Sequence, residues 1–159
     1  MNSELTVVLR QLVYGRMIAA LGTLHQGAPF VSMVTYAVAR DGSLILHVSR
    51  LAAHTRDMLD NPDVSLLITE SEASGKMPQA LARVTLQGRA EMLDRASEKH
   101  TEARDVYLSR FPGAAPLFEF SDFNLFIIKP VSARVIARFG QAVTLAGDVF
   151  AAALSTGNQ

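Results

Sequence analysis

The sequence contains no cysteine and no tryptophan. Without cysteine there is no disulfide framework and no thiolate metal site, a composition compatible with a reducing compartment. Excess charge is also missing: Lys+Arg and Asp+Glu both number 15, so the formal net charge is zero. Bulk attraction to nucleic acid or to an anionic membrane is therefore not indicated, which leaves room only for a local basic pocket. No apolar run approaches the roughly 20 residues of a membrane helix. The N-terminus, MNSELTVVLRQ, has no basic segment leading into an apolar core, so no signal peptide is expected. Nucleotide and hydrolase signatures are absent as well, with no GxGxxG, P-loop or GxSxG. The four histidines, His25, His47, His54 and His100, show neither HxH nor HExxH spacing, and no metal site is expected. These absences point to a cytoplasmic protein without nucleic-acid or membrane partners.

What is present is ordinary globular material, 49% hydrophobic and 19% charged over 159 residues. A chain of this size buries about 70% of its unfolded surface and is expected to form one domain, residues 1–159, without a staple. Leu5, Val8, Leu9, Leu12 and Val13 share one stripe, which predicts a helix over 3–14 with Ser3 as cap and Gly15 as stop. Residues 17–24 read as a strand. Residues 30–39 read as a second strand, apolar on both faces and so covered on both sides. Asp41-Gly42 is a hairpin signal. The following strand sets Leu44, Leu46 and Val48 on one face and Ile45, His47 and Ser49 on the other.

A short helix over 51–59 follows, with Leu51, Thr55, Met58 and Leu59 inward, stopped at Asn61-Pro62. Further strands are predicted at 64–69, 81–93, 123–129 and 132–139, and a polar helix at 95–109 with Ala96, Ala103, Val106 and Tyr107 buried. Residues 71–80 read as a surface loop. From Gly147 the chain fades into small and polar residues, and a frayed tail is expected from about 150. Hairpins dominate and no βαβ alternation occurs. The fold class is mainly β with peripheral helices, an antiparallel barrel or sandwich.

The chemistry gathers where the strand ending at Ser49 hands over to the helix. Ser49, Arg50, His54, Thr55 and Arg56 lie within eight residues. A helix start favours an anion through its free N–H groups, and Arg grips phosphate bidentately. The same residues also suit a plain capped helix with solvated basic side chains. Arg83, on a polar strand face with Thr85 and Gln87, reads either as a second phosphate cation or as a solvated residue. His47 and His54 flank the junction, and one axial His suffices for haem iron. His25 reads as an exposed turn residue and His100 as a surface one. Asp122, within FEFSDFNLF, reads as a turn or cap residue.

Three segments carry a resemblance: GTLHQGAPFVSMVTYAVARDGSLILHVSRLAAHTRDMLDNPDVSLLI, ARVTLQGRAEML, and YLSRFPGAAPLFEFSDFNLFIIKPVSARVIARFGQA. Together they resemble the pyridoxamine 5'-phosphate oxidase-like FMN-binding split barrels, and within them the haem-utilisation branch. The resemblance implies a six-stranded antiparallel FMN-binding split β-barrel and a homodimer with flavin sites at the subunit interface. It implies FMN contacts from Ser32, Met33, Val34, Thr35, Tyr36 and Ala37, from His47, Val48, Ala53 and His54, and from Arg83. The oxidases' basic pair for the flavin phosphate is Ala53-His54 here, with Ser49, Arg50, Thr55 and Arg56 beside it.

The leading expectation is an FMN-dependent oxidoreductase of a small substrate, with Tyr107 as a further substrate contact. The alternative is a haem-binding protein without flavin chemistry, with His47 or His54 as axial ligand.

Overall fold

The computed structural model describes residues 1–138 and 140–156. Helix α1 (Ser3–Gly15) leads into β1 (Ile18–His25), β2 (Ala28–Thr35), β3 (Ala37–Val38) and β4 (Leu44–Ser49). Helix α2 (Ala53–Asp60), β5 (Asp63–Thr69) and β6 (Arg83–Met92) follow. Then come α3 (Glu98–Arg110), a 3-10 segment (Pro112–Glu119), β7 (Phe123–Arg138), β8 (Gln141–Ala146) and α4 (Gly147–Leu154).

The strands form one antiparallel sheet in the order β2-β1-β5-β6-β7-β4-β3, with β8 added to β7. The expectation of six strands is therefore corrected to eight among the described residues, seven along the path and β8 beside it. The two outermost strands of the path, β2 and β3, are consecutive in the chain and separated only by Tyr36. A sheet whose edges are joined by one residue has to curl, and this is why the sheet encloses a core.

The predicted strand over 30–39 is in fact these two pieces. Tyr36 interrupts it because its amide turns back to the Met17 carbonyl and its hydroxyl donates to the Val13 carbonyl at 2.6 Å. The strands predicted at 123–129 and 132–139 are, conversely, one strand that changes partner. Its first half pairs with β4 and its second half with β8, while β6 runs alongside both. The last expected residue of that pair, Phe139, lies outside the described residues.

Leu21, Leu44, Leu46, Leu66, Val84 and Leu86 fill the interior of the curl, with Leu9 and Val13 of α1, Met58 of α2 and Phe150 and Leu154 of α4. The tail expected to fray from about 150 is thus a helix. Phe150 and Leu154, one turn apart, are both 0% exposed, so their burial orders a segment of low sequence complexity. Residues 157–159 of that tail lie outside the described residues. A second cluster, Ala37, Ile45, Leu93, Ala103, Tyr107 and Leu125, lies on the opposite face of β3, β4 and β7, under α3 and the 3-10 segment. Ala96, predicted buried, is exposed ahead of α3.

The outer face of β1, β2 and β5 carries no such cover. Cross-strand pairing of Val31 with Gly22 and of Met33 and Leu67 with Ala20 places these side chains together. Val31 is 68% and Met33 67% exposed. One side of the expected double-sided strand is therefore open in the single chain. No helix among the described residues is long and apolar enough to cross a membrane.

Candidate functional site

The alternation along β4 does what its sequence requires. Leu44, Leu46 and Val48 join the interior, and His47 and Ser49 leave on the other face. At the end of β4 the backbone meets the segment before β7. Ser49 donates its hydroxyl to Asp122 Oδ2 at 2.6 Å, and Ser49 Oγ accepts the Leu51 amide at 3.1 Å. Arg50 donates Nε to Asn124 Oδ1 at 2.9 Å, and its amide goes to the Asp122 carbonyl. Arg95 reaches the carbonyls of Ser121 and Phe123. Asp122, expected as a turn or cap residue, is the hub of this junction.

That arrangement alters the phosphate reading. Ser49 spends its proton on the Asp122 carboxylate, which brings a negative group to the junction. Helix α2 starts at Ala53 rather than at 51, and its capping residue, Ala52, supplies no side-chain bond. The first-turn amides of Ala53, His54 and Thr55 are left without helical acceptors. Arg56 is exposed, and Thr55 is fully buried with its hydroxyl unpartnered. Of the residues predicted inward, Thr55 and Met58 are buried, Leu51 and Leu59 are exposed, and Asp57 completes the buried stripe. His54 is half-buried, and burial lowers its pKa against the opposing charge of Asp57.

His47 is 7% exposed and lies among aromatic rings. It stacks on Phe118 at 3.8 Å and 8° and meets Tyr107 and Phe123 at 5.6 and 5.1 Å. Burial, aided by the charges of His100 and Arg95, pushes its pKa down to about 4. Its Nδ1 is buried without a partner. Tyr107 hydrogen-bonds through its hydroxyl to Thr35 Oγ1 at 2.8 Å. The faces of His47 and Tyr107 predicted to meet a cofactor or substrate are thus filled by the chain's own phenylalanines. His100, predicted on the surface, is half-buried near this cluster.

The remaining predicted contacts scatter. Val34 and Val48 point into the interior core, so only their backbone faces outward. Met33 stands on the open outer face. Arg83 sits on the polar face of β6 as predicted, but its guanidinium is bound to the carbonyls of Gln79 and Leu81 at 3.2 and 3.0 Å. It is a brace for the 3-10 turn before β6 rather than a cation offered outward.

Sequence reasoning missed one constellation. Asp57, 3% exposed on α2, accepts from Thr23 Oγ1 at 2.8 Å and pairs with His25 Nδ1 at 2.7 Å. Burial alone would raise the Asp57 pKa; the hydrogen bonds from His25 and Thr23 and the nearby histidine charges outweigh it and hold it below the ordinary value. His25 is therefore not a free turn residue. It sits at the end of β1, its ring 5.2 Å from that of Phe30. With Nδ1 engaged by a carboxylate, Nε2 is left for another partner. The signal was a Thr-x-His alternation on one strand face, with its acid 32 residues away from His25.

Residues 2–151 match the family described as CREG, beta-barrel. The chain is 36% identical over 146 residues to the non-canonical heme oxygenase HOZ, chloroplastic, of Arabidopsis thaliana, covering 91% of this chain and 43% of that protein. It is 32% identical over 124 residues to the heme oxygenase HutZ of Vibrio cholerae, covering 77% of this chain and 70% of HutZ. The solved structure of a heme binding protein from Mycobacterium smegmatis matches with a TM-score of 0.85 at 28% identity, over 96% of this chain and 62% of that one. The chain thus spans less than half of the plant relative. A family match that runs from the start of α1 into α4 covers every strand of the curled sheet, and the chain belongs to the CREG beta-barrel family.

Proposed function

We propose that this chain is a haem-binding split barrel of the haem-utilisation branch of the oxidase-like barrels, and that the alternative, not the flavin oxidoreductase, is the better reading. The observation that carries it is the His25–Asp57 pair. A histidine that gives one ring nitrogen to a buried carboxylate and keeps the other free is the usual arrangement of a metal-ligating imidazole. One such ligand is enough for haem iron, whose own chemistry is the binding and activation of small ligands. The names of the plant, Vibrio and mycobacterial relatives support the choice of haem.

The residues present fit this group better than they fit FMN. His25 offers its second ring nitrogen, Asp57 fixes its ring, and Phe30 supplies an apolar wall. His54, one turn before Asp57, is the second candidate. His47 is less suited, because it is buried and packed among Phe118, Tyr107 and Phe123. For FMN, Ser49 and Arg83 are already committed to protein partners, and Asp122 opposes a phosphate.

We also propose that two copies pair through the open face of Val31, Met33 and Leu67, as the resemblance implies. An apolar face of this kind on one chain is suited to a partner surface.

Titrating hemin into the purified protein tests the reading. A saturable Soret shift that is lost in His25→Ala and kept in His47→Ala supports it. Flavin absorption in the protein as isolated, or a Soret shift insensitive to His25→Ala and His54→Ala, overturns it.

A further inference from the structure

A cavity of about 460 Å³ lies between the end of α1, β3 and α3, away from both the Ser49 junction and the His25 pair. Its size is that of a small-molecule pocket. One wall is apolar, made by Val13, Ala37, Val38 and Val106 with the rings of Tyr14 and Tyr36. The lining also holds Arg16, Arg40 and Arg110, a single carboxylate, Asp105, and Ser109.

The arginines are not matched by the chain's own acids. Among the described residues, Arg16 and Arg110 form no salt bridge, and Arg40 meets only Glu102 at 3.4 Å, between exposed side chains. Arg110 donates to the Arg16 carbonyl at 3.0 Å, and Arg16 is anchored through one terminal nitrogen to Ser71. The Nε of Arg16 is shielded from water and has no acceptor. Both cations stand close enough to Tyr36 to oppose the rise that burial causes in its pKa.

We propose that this cleft binds an organic carboxylate with an apolar body. The carboxylate takes the arginine end, where a planar fork suits two oxygens, and the body lies on the valine wall. A monoanion is favoured over phosphate because Asp105 shares the lining. The proposal is independent of the haem reading, since none of its residues belongs to the His25–Asp57 site.

The experiment is calorimetric titration of the purified protein with octanoate and 4-phenylbutyrate, with octylamine and inorganic phosphate as controls. At least one carboxylate is expected to bind saturably and raise the melting temperature, and the controls are expected not to. Arg110→Gln is expected to weaken binding about tenfold, as for loss of a charge-assisted bond. Arg40→Gln, a surface change that leaves folding intact, is expected to weaken it severalfold. No saturable binding by either carboxylate, equal binding by octylamine or phosphate, or unchanged affinity in both variants overturns the proposal.

Discussion

His47 lies flat against Phe118, the ring centroids 3.8 Å apart and the planes within 8°. That contact ties β4 to the 3-10 segment before β7 and makes the second core cluster sensitive to one proton. Burial pushes the His47 pKa from 6.5 down to about 4. Between those values the unfolded chain binds the proton and the folded chain refuses it. Stability from this group is complete above about pH 6.5 and falls as pH drops towards 4, by up to about 3 kcal/mol. His47→Phe keeps the stack without the titration. Urea unfolding at pH 7 and pH 5 is expected to show a smaller acid loss in the variant than in the wild type.

Asp57 holds Thr23 and His25 from a buried position on α2. Asp57→Ala leaves the Thr23 hydroxyl buried without a partner and is expected to destabilise the fold by about 1–3 kcal/mol. A double-mutant cycle with His25→Ala is expected to give a coupling of at least about 0.5 kcal/mol in chemical denaturation. Additive losses would remove the pair as an energetic unit.

Helix α4 is an integral part of the core. Phe150→Ala is expected to cost about 3–5 kcal/mol. Gly42 gives a second handle, because a Cβ there would stand 2.0 Å from the Ala151 carbonyl oxygen and its φ is +87°. Gly42→Ala is therefore expected to lower the guanidinium midpoint, because this turn is buried against α4. An unchanged midpoint in both variants would mean that α4 is not docked as described.

The open outer face supplies a prediction about assembly. Met33→Lys and Val31→Glu put charge into an apolar patch without touching the interior. Both are expected to stay folded by circular dichroism and to lower the mass seen by sedimentation if the wild type pairs through this face. A wild type that is already monomeric at micromolar concentration would remove the pairing proposal.

Much of the fold was legible in local chemistry. Asp41-Gly42 sits in the predicted turn, with Gly42 at positive φ and the Ser43 amide on Asp41 Oδ1. Asn61-Pro62 ends α2, and the two faces of β4 separate as their alternation dictates. What was not legible depended on distance. Tyr36 breaks its strand for the sake of a carbonyl in α1, and nothing adjacent in sequence announces that bond.

The site was less legible than the fold for the same reason. Ser49 and Asp122 are 73 residues apart, so the junction looked basic when read along the chain, while in space a carboxylate is hydrogen-bonded to its serine. His25 looked free because its acid lies on another element. Phe150 and Leu154 did carry a helical spacing, but Ser, Thr, Gly, Asn and Gln beyond them suggested fraying.

The single residue between β2 and β3 also constrains the order of assembly. β1 and β2 are a local hairpin and can pair as soon as they are made. β4 must wait for Phe123–Ile128, some 80 positions later, before its other edge is satisfied. Long-range pairing of this kind is slow, because loop closure precedes the contacts that reward it. Tyr36 therefore marks the boundary between the part of the barrel that pairs locally and the part whose other edge is satisfied only by β7.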